Sequence, residues 1–232
     1  MALGLPRGRI GPQVNLKSGT LPLPGGGLAG QPFRRADTLL AASTHDGEDA
    51  IVLDAFVAAR AARPGLRLIL APRHPRRRDA IEAEIARRGL GFATRSRGQQ
   101  PGAGLPVYLA DTMGEMDLWY RAAGLCFVGG SLTDNGGHTP FEPAAHGAVI
   151  LHGPHVANSA PAYAALASAG ASIVVTDAAT LATAIGSLAD PARQTALGTA
   201  AREALLPLQD RTGIAAFYQA LAVATGLDTV KI

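Results

Sequence analysis

The chain has 232 residues, of which 47% are hydrophobic and 17% charged, and a formal net charge of +3. That balance supplies a substantial core and excludes global disorder. An aromatic share of 5%, with no interleaving of basic and aromatic residues, does not fit a base-stacking nucleic-acid surface. Cys126 is the only cysteine, so no internal disulfide can form, and its place in the apolar run 125–128 predicts a buried structural thiol. Residues 1–9 hold no apolar stretch fit for a signal peptide, and no segment has the apolar length that spans a bilayer. The chain by itself is therefore expected to be soluble.

Residues 1–36 are rich in glycine and proline, with Pro22, Pro24 and the triplet Gly25-Gly26-Gly27 close together. They read as an arm or interdomain remnant without a core of its own. From residue 37 to 232, strand patterns alternate with helical ones. Residues 38–43 form an apolar run, after which Thr44 or Asp46 is placed to cap a helix beginning with Glu48 and Asp49. Residues 66–71 form a second strand stopped by Pro72, and a charged helix covers 77–88. A strand at 107–110 leads to a helix over 115–123, and 125–128 is the next strand.

The most distinctive stretch follows at 129–143: two Gly-Gly pairs, a serine, a histidine, and Glu142 bracketed by Pro140 and Pro143 at a helix start. Strands at 149–151 and 172–176, with a helix near 160–169 between them, complete the alternation. Helical pattern then occupies 179–188 and 193–224. The order predicts an α/β fold, a Rossmann-like doubly wound parallel sheet, in which ligands bind beyond the carboxyl ends of the strands.

The polar residues cluster at those ends. Arg73 offers a permanently charged fork for a phosphate, and His74 a second donor, in a loop restricted by Pro72 and Pro75. The alternative for both is a solvated cationic patch with Arg76, Arg77 and Arg78. Gly129, Gly130 and Ser131 read as a backbone cradle whose amides and hydroxyl bind oxygen atoms, although tight turns also use paired glycines. The stretch is neither a P-loop nor a Gly-x-Gly-x-x-Gly fingerprint. Glu142 is placed to accept from ribose hydroxyls or to stabilise its helix start, and Glu115, after Gly114, has the same two readings. Met113 and Met116 read as core or pocket wall. His152 and His155 lack the companions of a metal set, so no metal is expected.

Taken together, these loops resemble the 3-deoxy-D-manno-octulosonic acid (Kdo) transferases of lipopolysaccharide synthesis. The resemblance is carried by Ala42-Ser43-Thr44-His45-Asp46-Gly47-Glu48, Pro72-Arg73-His74-Pro75, Asp111-Thr112-Met113-Gly114-Glu115-Met116 and Val128-Gly129-Gly130-Ser131. Gly136-Gly137-His138 with Pro140-Phe141-Glu142-Pro143, and Gly153-Pro154-His155 with Asn158, extend it over residues 37–190. Val14-Asn15-Leu16-Lys17 is similar to the family's Gly-Asn-Leu-Lys lead-in. The resemblance implies the C-terminal, donor-binding half of a GT-B glycosyltransferase that takes CMP-Kdo as donor and a lipid A precursor as acceptor, inverting the anomeric centre without a cofactor or required metal. It implies peripheral association with the cytoplasmic face of the bacterial inner membrane in the complete enzyme.

By the same resemblance Arg73, His74, Gly114, Glu115, Gly129, Gly130, Ser131, Thr139 and Glu142 form the donor-nucleotide site. Thr139 stands where the family has Asn, which alters one contact. The family's N-terminal acceptor domain, with its proposed catalytic-base glutamate, has no counterpart in the sequence, so no catalytic residue is assigned and activity of the chain alone is not expected. The alternatives are a non-catalytic nucleotide-binding or interaction module derived from a GT-B enzyme, and a donor domain for UDP-sugars.

Overall fold

A computed structural model describes residues 33–209 and 211–225; most of the Gly/Pro-rich arm, including residues 14–17, lies outside them. Among the described residues, seven strands form one sheet: β1 (Thr38–Thr44), β2 (Arg67–Pro72), β3 (Phe92–Thr94), β4 (Val107–Leu109), β5 (Leu125–Val128), β6 (Val149–His152) and β7 (Ser172–Val174). The helices are α1 (Glu48–Ala62), α2 (Arg78–Arg87), α3 (Met116–Ala122), α4 (Phe141–Ala145), α5 (Ala160–Ser168), α6 (Ala178–Ser187), α7 (Pro191–Leu205) and α8 (Arg211–Thr225). Every strand pair is parallel, in the order β3-β4-β2-β1-β5-β6-β7. The doubly wound sheet expected from the alternation is present.

Continuous apolar runs, rather than alternating ones, mark strands buried on both faces. Leu39, Leu68, Leu70, Leu109, Phe127 and Leu151 point to one face, which α1, α2 and α6 cover through Phe56, Ile85 and Leu181. Their neighbours Leu40, Ile69, Tyr108, Cys126 and Ile150 point to the other, covered by α3, α4, α5 and α7. Leu40 lies opposite Ile69 on one side and Cys126 on the other, so the centre of the sheet is at β1. The chain winds outward from β1 through β2, then crosses from β4 to β5 on the opposite flank. The carboxyl ends of β1 and β5 therefore form the switch point, where the diverging connections leave a crevice.

Several elements differ from the sequence reading. The three-residue edge strand β3 was not foreseen, because so short a run leaves no periodic pattern. The single helix expected over 193–224 is two: α7 ends at Leu205, and Leu206–Leu208 form a 3-10 turn containing Pro207, which lacks the amide to continue the α-helix. Neither Thr44 nor Asp46 caps α1, whose N-cap is Gly47 with a φ of 85°. Thr44 instead donates from its hydroxyl to Asp49 (2.6 Å), and both Asp46 and Asp49 pair with Arg77.

Residues 33–36, at the end of the predicted arm, pack on the domain. Phe33 lies against Tyr108, with ring centroids 6.2 Å apart. The Arg35 guanidinium donates to the carbonyls of Tyr120, Arg121 and His146, binding acceptors at the carboxyl ends of α3 and α4.

Phe127 is fully buried in β5, next to the central strand β1. Phe127→Ala should lower the unfolding free energy by about 3–5 kcal/mol in a denaturant titration.

Candidate functional site

The switch point is built by backbone before any side chain is considered. β1 ends in an irregularity between Ala42 and Thr44 at which Ser43 takes a φ of 56°, an uncommon value outside glycine. The amide of Gly129 donates to the Ala42 carbonyl at 2.8 Å. A Cβ at Gly129 would stand 2.5 Å from the Ser43 carbonyl oxygen and 2.8 Å from Thr44 Cα. Gly129 is thus required by the closeness of two strand ends.

Glu48 then locks those ends together. Fully buried at the first position of α1, its carboxylate accepts from the amides of His45 (2.8 Å), Gly130 (2.7 Å), Ser131 (2.9 Å) and Leu132 (2.9 Å). This corrects the reading of Gly129, Gly130 and Ser131 as an anion cradle: the amides of Gly130 and Ser131 do converge on an oxyanion, but it is the protein's own, and the Gly129 amide is taken by the Ala42 carbonyl. The Ser131 hydroxyl is likewise engaged, donating to the Val128 carbonyl (2.5 Å) and accepting from the Gly153 amide (2.8 Å). Ser131 is buried. These three residues shape the floor of the crevice.

Above that floor stand three histidines and an arginine. The Gly137 and His138 amides donate to the carbonyls of Gly130 (2.7 Å) and Gly129 (3.1 Å), folding the second Gly-Gly pair back over the first. This brings the His138 ring over Gly130, edge to edge with His45, the ring planes 23° apart, the centroids 5.1 Å apart and the two Nε2 atoms 2.9 Å apart. His74, from the loop after β2, meets His45 edge-on at 5.9 Å. Burial depresses the pKa of His74 below its ordinary value, and the charges of Arg76, Arg73, His45 and Arg77 push it the same way. Arg73 is exposed, and among the described residues its side chain makes no hydrogen bond or ion pair.

The remaining predicted residues sit on the same edge of the sheet. Gly114, with a φ of 84°, turns the loop after β4 so that Glu115 reaches Arg95. Arg95 donates to both Glu115 oxygens (2.6 and 3.1 Å), and the Thr112 hydroxyl donates to one of them. The Arg95 hydrogen bonds, followed by that of Thr112, hold the Glu115 carboxyl below the usual carboxylate range. Glu142 is half-buried in the first turn of α4. The Thr139 hydroxyl oxygen is buried without a hydrogen-bond partner. Asn158 donates to the carbonyls of Asn135 (2.9 Å) and Gly137 (3.3 Å), tying the loop after β6 to the glycine loop.

Cys126 is fully buried, and burial pushes its thiol far up, as suits a packing residue. Among the described residues, no group of three or more His, Cys, Asp or Glu side chains is set to hold a metal ion.

The sequence reading named His45 and His138 only within their motifs and Glu48 only as a first-turn acid, giving none of them a place in the site, and did not name Arg95. Glu48 looked like an ordinary first-turn carboxylate. His45 and His138 are 93 residues apart, and only the parallel neighbours β1 and β5 bring them together.

An open seven-stranded parallel sheet covered by helices on both faces is the architecture of GT-B glycosyltransferase C-terminal domains. The structure of WaaG, a glycosyltransferase involved in lipopolysaccharide biosynthesis, shares this fold at a TM-score of 0.53, covering 82% of this chain and 47% of that one at 16% identity. A more similar structure is the C-terminal CMP-Kdo binding domain of WaaA from Acinetobacter baumannii, at a TM-score of 0.69 and 32% identity, covering 73% of this chain and 89% of that one. The 3-deoxy-D-manno-octulosonic acid transferase of Bordetella pertussis is 40% identical over 181 residues, 76% of this chain and 41% of its own length. The chain belongs to the 3-deoxy-D-manno-octulosonic acid transferase family. It spans about two-fifths of the length of that curated relative. No family model matches it.

Glu48→Gln places an amide group against two backbone donors, His45 and Gly130. It should cost about 1–3 kcal/mol for each donor left without an acceptor, read from urea unfolding. A change within about 0.5 kcal/mol, the range of an ordinary surface substitution, would contradict the clamp. For Glu115 the sign follows from its depressed pKa: the Arg95 contact stabilises fully above the ordinary 4.5 and is lost as pH falls through the folded value. The melting temperature of Glu115→Gln should therefore lie below the parent's at pH 7, with the gap closing below pH 4.5.

Proposed function

We propose that the chain is the donor half of a Kdo transferase and binds CMP-Kdo in the crevice between β1 and β5. The observation that carries this reading is the unpaired Arg73, exposed beside His74, at the switch point of the sheet. Arg77 at this edge is neutralised by Asp46 and Asp49 and Arg95 by Glu115, whereas Arg73 and Arg76, which flank His74, are both exposed and make no side-chain hydrogen bond or ion pair among the described residues. A permanently charged, unpaired guanidinium there is matched to a phosphate, which it can meet with two parallel hydrogen bonds. The 32% identical structure described as a CMP-Kdo binding domain supports the choice of nucleotide.

In this reading Arg73 binds the phosphate of CMP and stabilises the charge that develops on it as the sugar leaves. His74 borders the same group. Glu142, at the start of α4, accepts from ribose hydroxyls, and the unpartnered Thr139 hydroxyl supplies a short polar contact where an amide stands in the family. Gly114 keeps the β4 loop low enough for Glu115 to border the nucleotide, while Gly129, Gly130 and Ser131 support the floor. No metal is invoked.

Transfer also needs a base to take the acceptor proton. We assign that base, and the site for a lipid A precursor, to the portion of the family's length that this chain does not span. Peripheral association with the cytoplasmic face of the inner membrane belongs to the complete enzyme in the same way. No helix among the described residues is long and apolar enough to cross a membrane.

Calorimetric titration of the chain with CMP, with UMP and AMP as controls, should show a preference for the cytidine nucleotide. Arg73→Ala should weaken CMP binding by about 10- to 100-fold, the range for one charged hydrogen-bonding partner. Equal binding of all three nucleotides would overturn the assignment.

A further inference from the structure

The floor of the crevice is made of groups that already have partners. The Glu48 carboxylate lies directly beneath it, but its oxygens are taken up by four amides. Over that floor, His45 and His138 face each other through Nε2 atoms 2.9 Å apart, a separation that requires one hydrogen between them. One ring therefore donates from Nε2 and the other accepts, so the two are opposite tautomers.

Where His45 is the donating ring, a further proton can join it on Nδ1 without disturbing the bridge. Yet another would set two N–H groups against each other and break it. The bridged pair can thus carry a charge of zero or +1, but not +2. The Nδ1 of His45, on the ring edge away from the bridge, makes no hydrogen bond among the described residues.

Both rings are held from the backbone. His45 is fixed by its amide on Glu48, and His138 by its amide on Gly129 (3.1 Å) and by its carbonyl, which accepts from the Tyr163 hydroxyl (2.8 Å). A Cβ at Gly130 would press on both, 3.2 Å from His138 Cδ2 and 3.3 Å from His45 Cδ2, so the glycine is what lets the rings settle over the floor. His74 closes one side edge-on, and the backbone places Arg73 next to it.

We propose that His45 and His138 act as a single imidazole pair that binds an oxyanion of the donor. The pair shares the bridging hydrogen and offers an outward N–H to a phosphate or a sugar carboxylate. This rests on the donor-site reading above and adds to it the residues that meet the anion besides Arg73.

The test is an imidazole nitrogen NMR titration of the parent chain with CMP, with inorganic phosphate and with free Kdo, joined to calorimetry of His45→Gln and His138→Gln. The His45 and His138 resonances should move together. Movement with phosphate assigns the phosphate as the bound group, and movement with free Kdo alone assigns the sugar carboxylate. Each variant should bind its responsive probe about tenfold more weakly. The double variant should be little weaker than either single one, because removing either ring already breaks the pair.

Resonances that stay still with all three probes would overturn the proposal, as would variants that bind like the parent or whose losses add. Tight CMP binding with silent histidines would remove the pair and leave the nucleotide site standing. Rings that respond to phosphate in a chain that does not bind CMP would do the reverse. The parent titration decides these cases without relying on a substituted protein to fold.

Discussion

The carboxylate of Glu48 is the interaction on which the rest of the site depends. It enters from α1, on the β1 side of the switch point, and takes amides from the β5 side as well as from its own loop. Four donors on one buried carboxylate replace the water it gives up, which is the condition under which an isolated charge is tolerated inside a protein. The geometric result is that loops separated by more than 80 residues in sequence are fixed against each other. Gly129 can lie on Ser43, Gly137 can fold back on Gly130, and the histidines can meet, because the loop ends beneath them do not move apart.

Charge follows from this arrangement. With Glu48 turned inward and Glu115 held by Arg95, the acidic groups around the crevice are engaged in structure, while Arg73 is left unpaired. A pocket floored by backbone and rimmed by cationic or neutral donors is complementary to an anionic ligand. It is the distribution of partners among these charges, more than the modest net charge of the chain, that gives the site its character.

Much of the fold was legible in the sequence because a parallel sheet covered on both faces demands uninterrupted apolar runs, and residues 38–43, 66–71 and 125–128 supply them. The place of Arg73 at the carboxyl end of β2 was legible because it follows such a run and its stopping proline. Glu48 was misread because a first-turn glutamate has the same sequence pattern whether it faces solvent and the helix dipole or reaches another loop. Its true partners are main-chain amides, which carry no residue identity. The glycines were correctly located and incorrectly explained: they admit strand ends and imidazole rings, where a ligand had been expected. The His45–His138 pair depends on strand order, and β3 is too short to announce itself. Pro207 was visible, and its break between α7 and α8 is the one local signal that the helical pattern obscured.

The central claim is that the crevice between β1 and β5, assembled by Glu48 and left cationic by Arg73, receives the donor nucleotide. A crystal structure of the chain with CMP tests it most directly. The phosphate is expected against Arg73 and the histidines and the ribose toward Glu142, with the Glu48 hydrogen bonds unchanged. A nucleotide bound elsewhere on the domain, or one whose phosphate displaces Glu48 from the amides of Gly130 and Ser131, would contradict it.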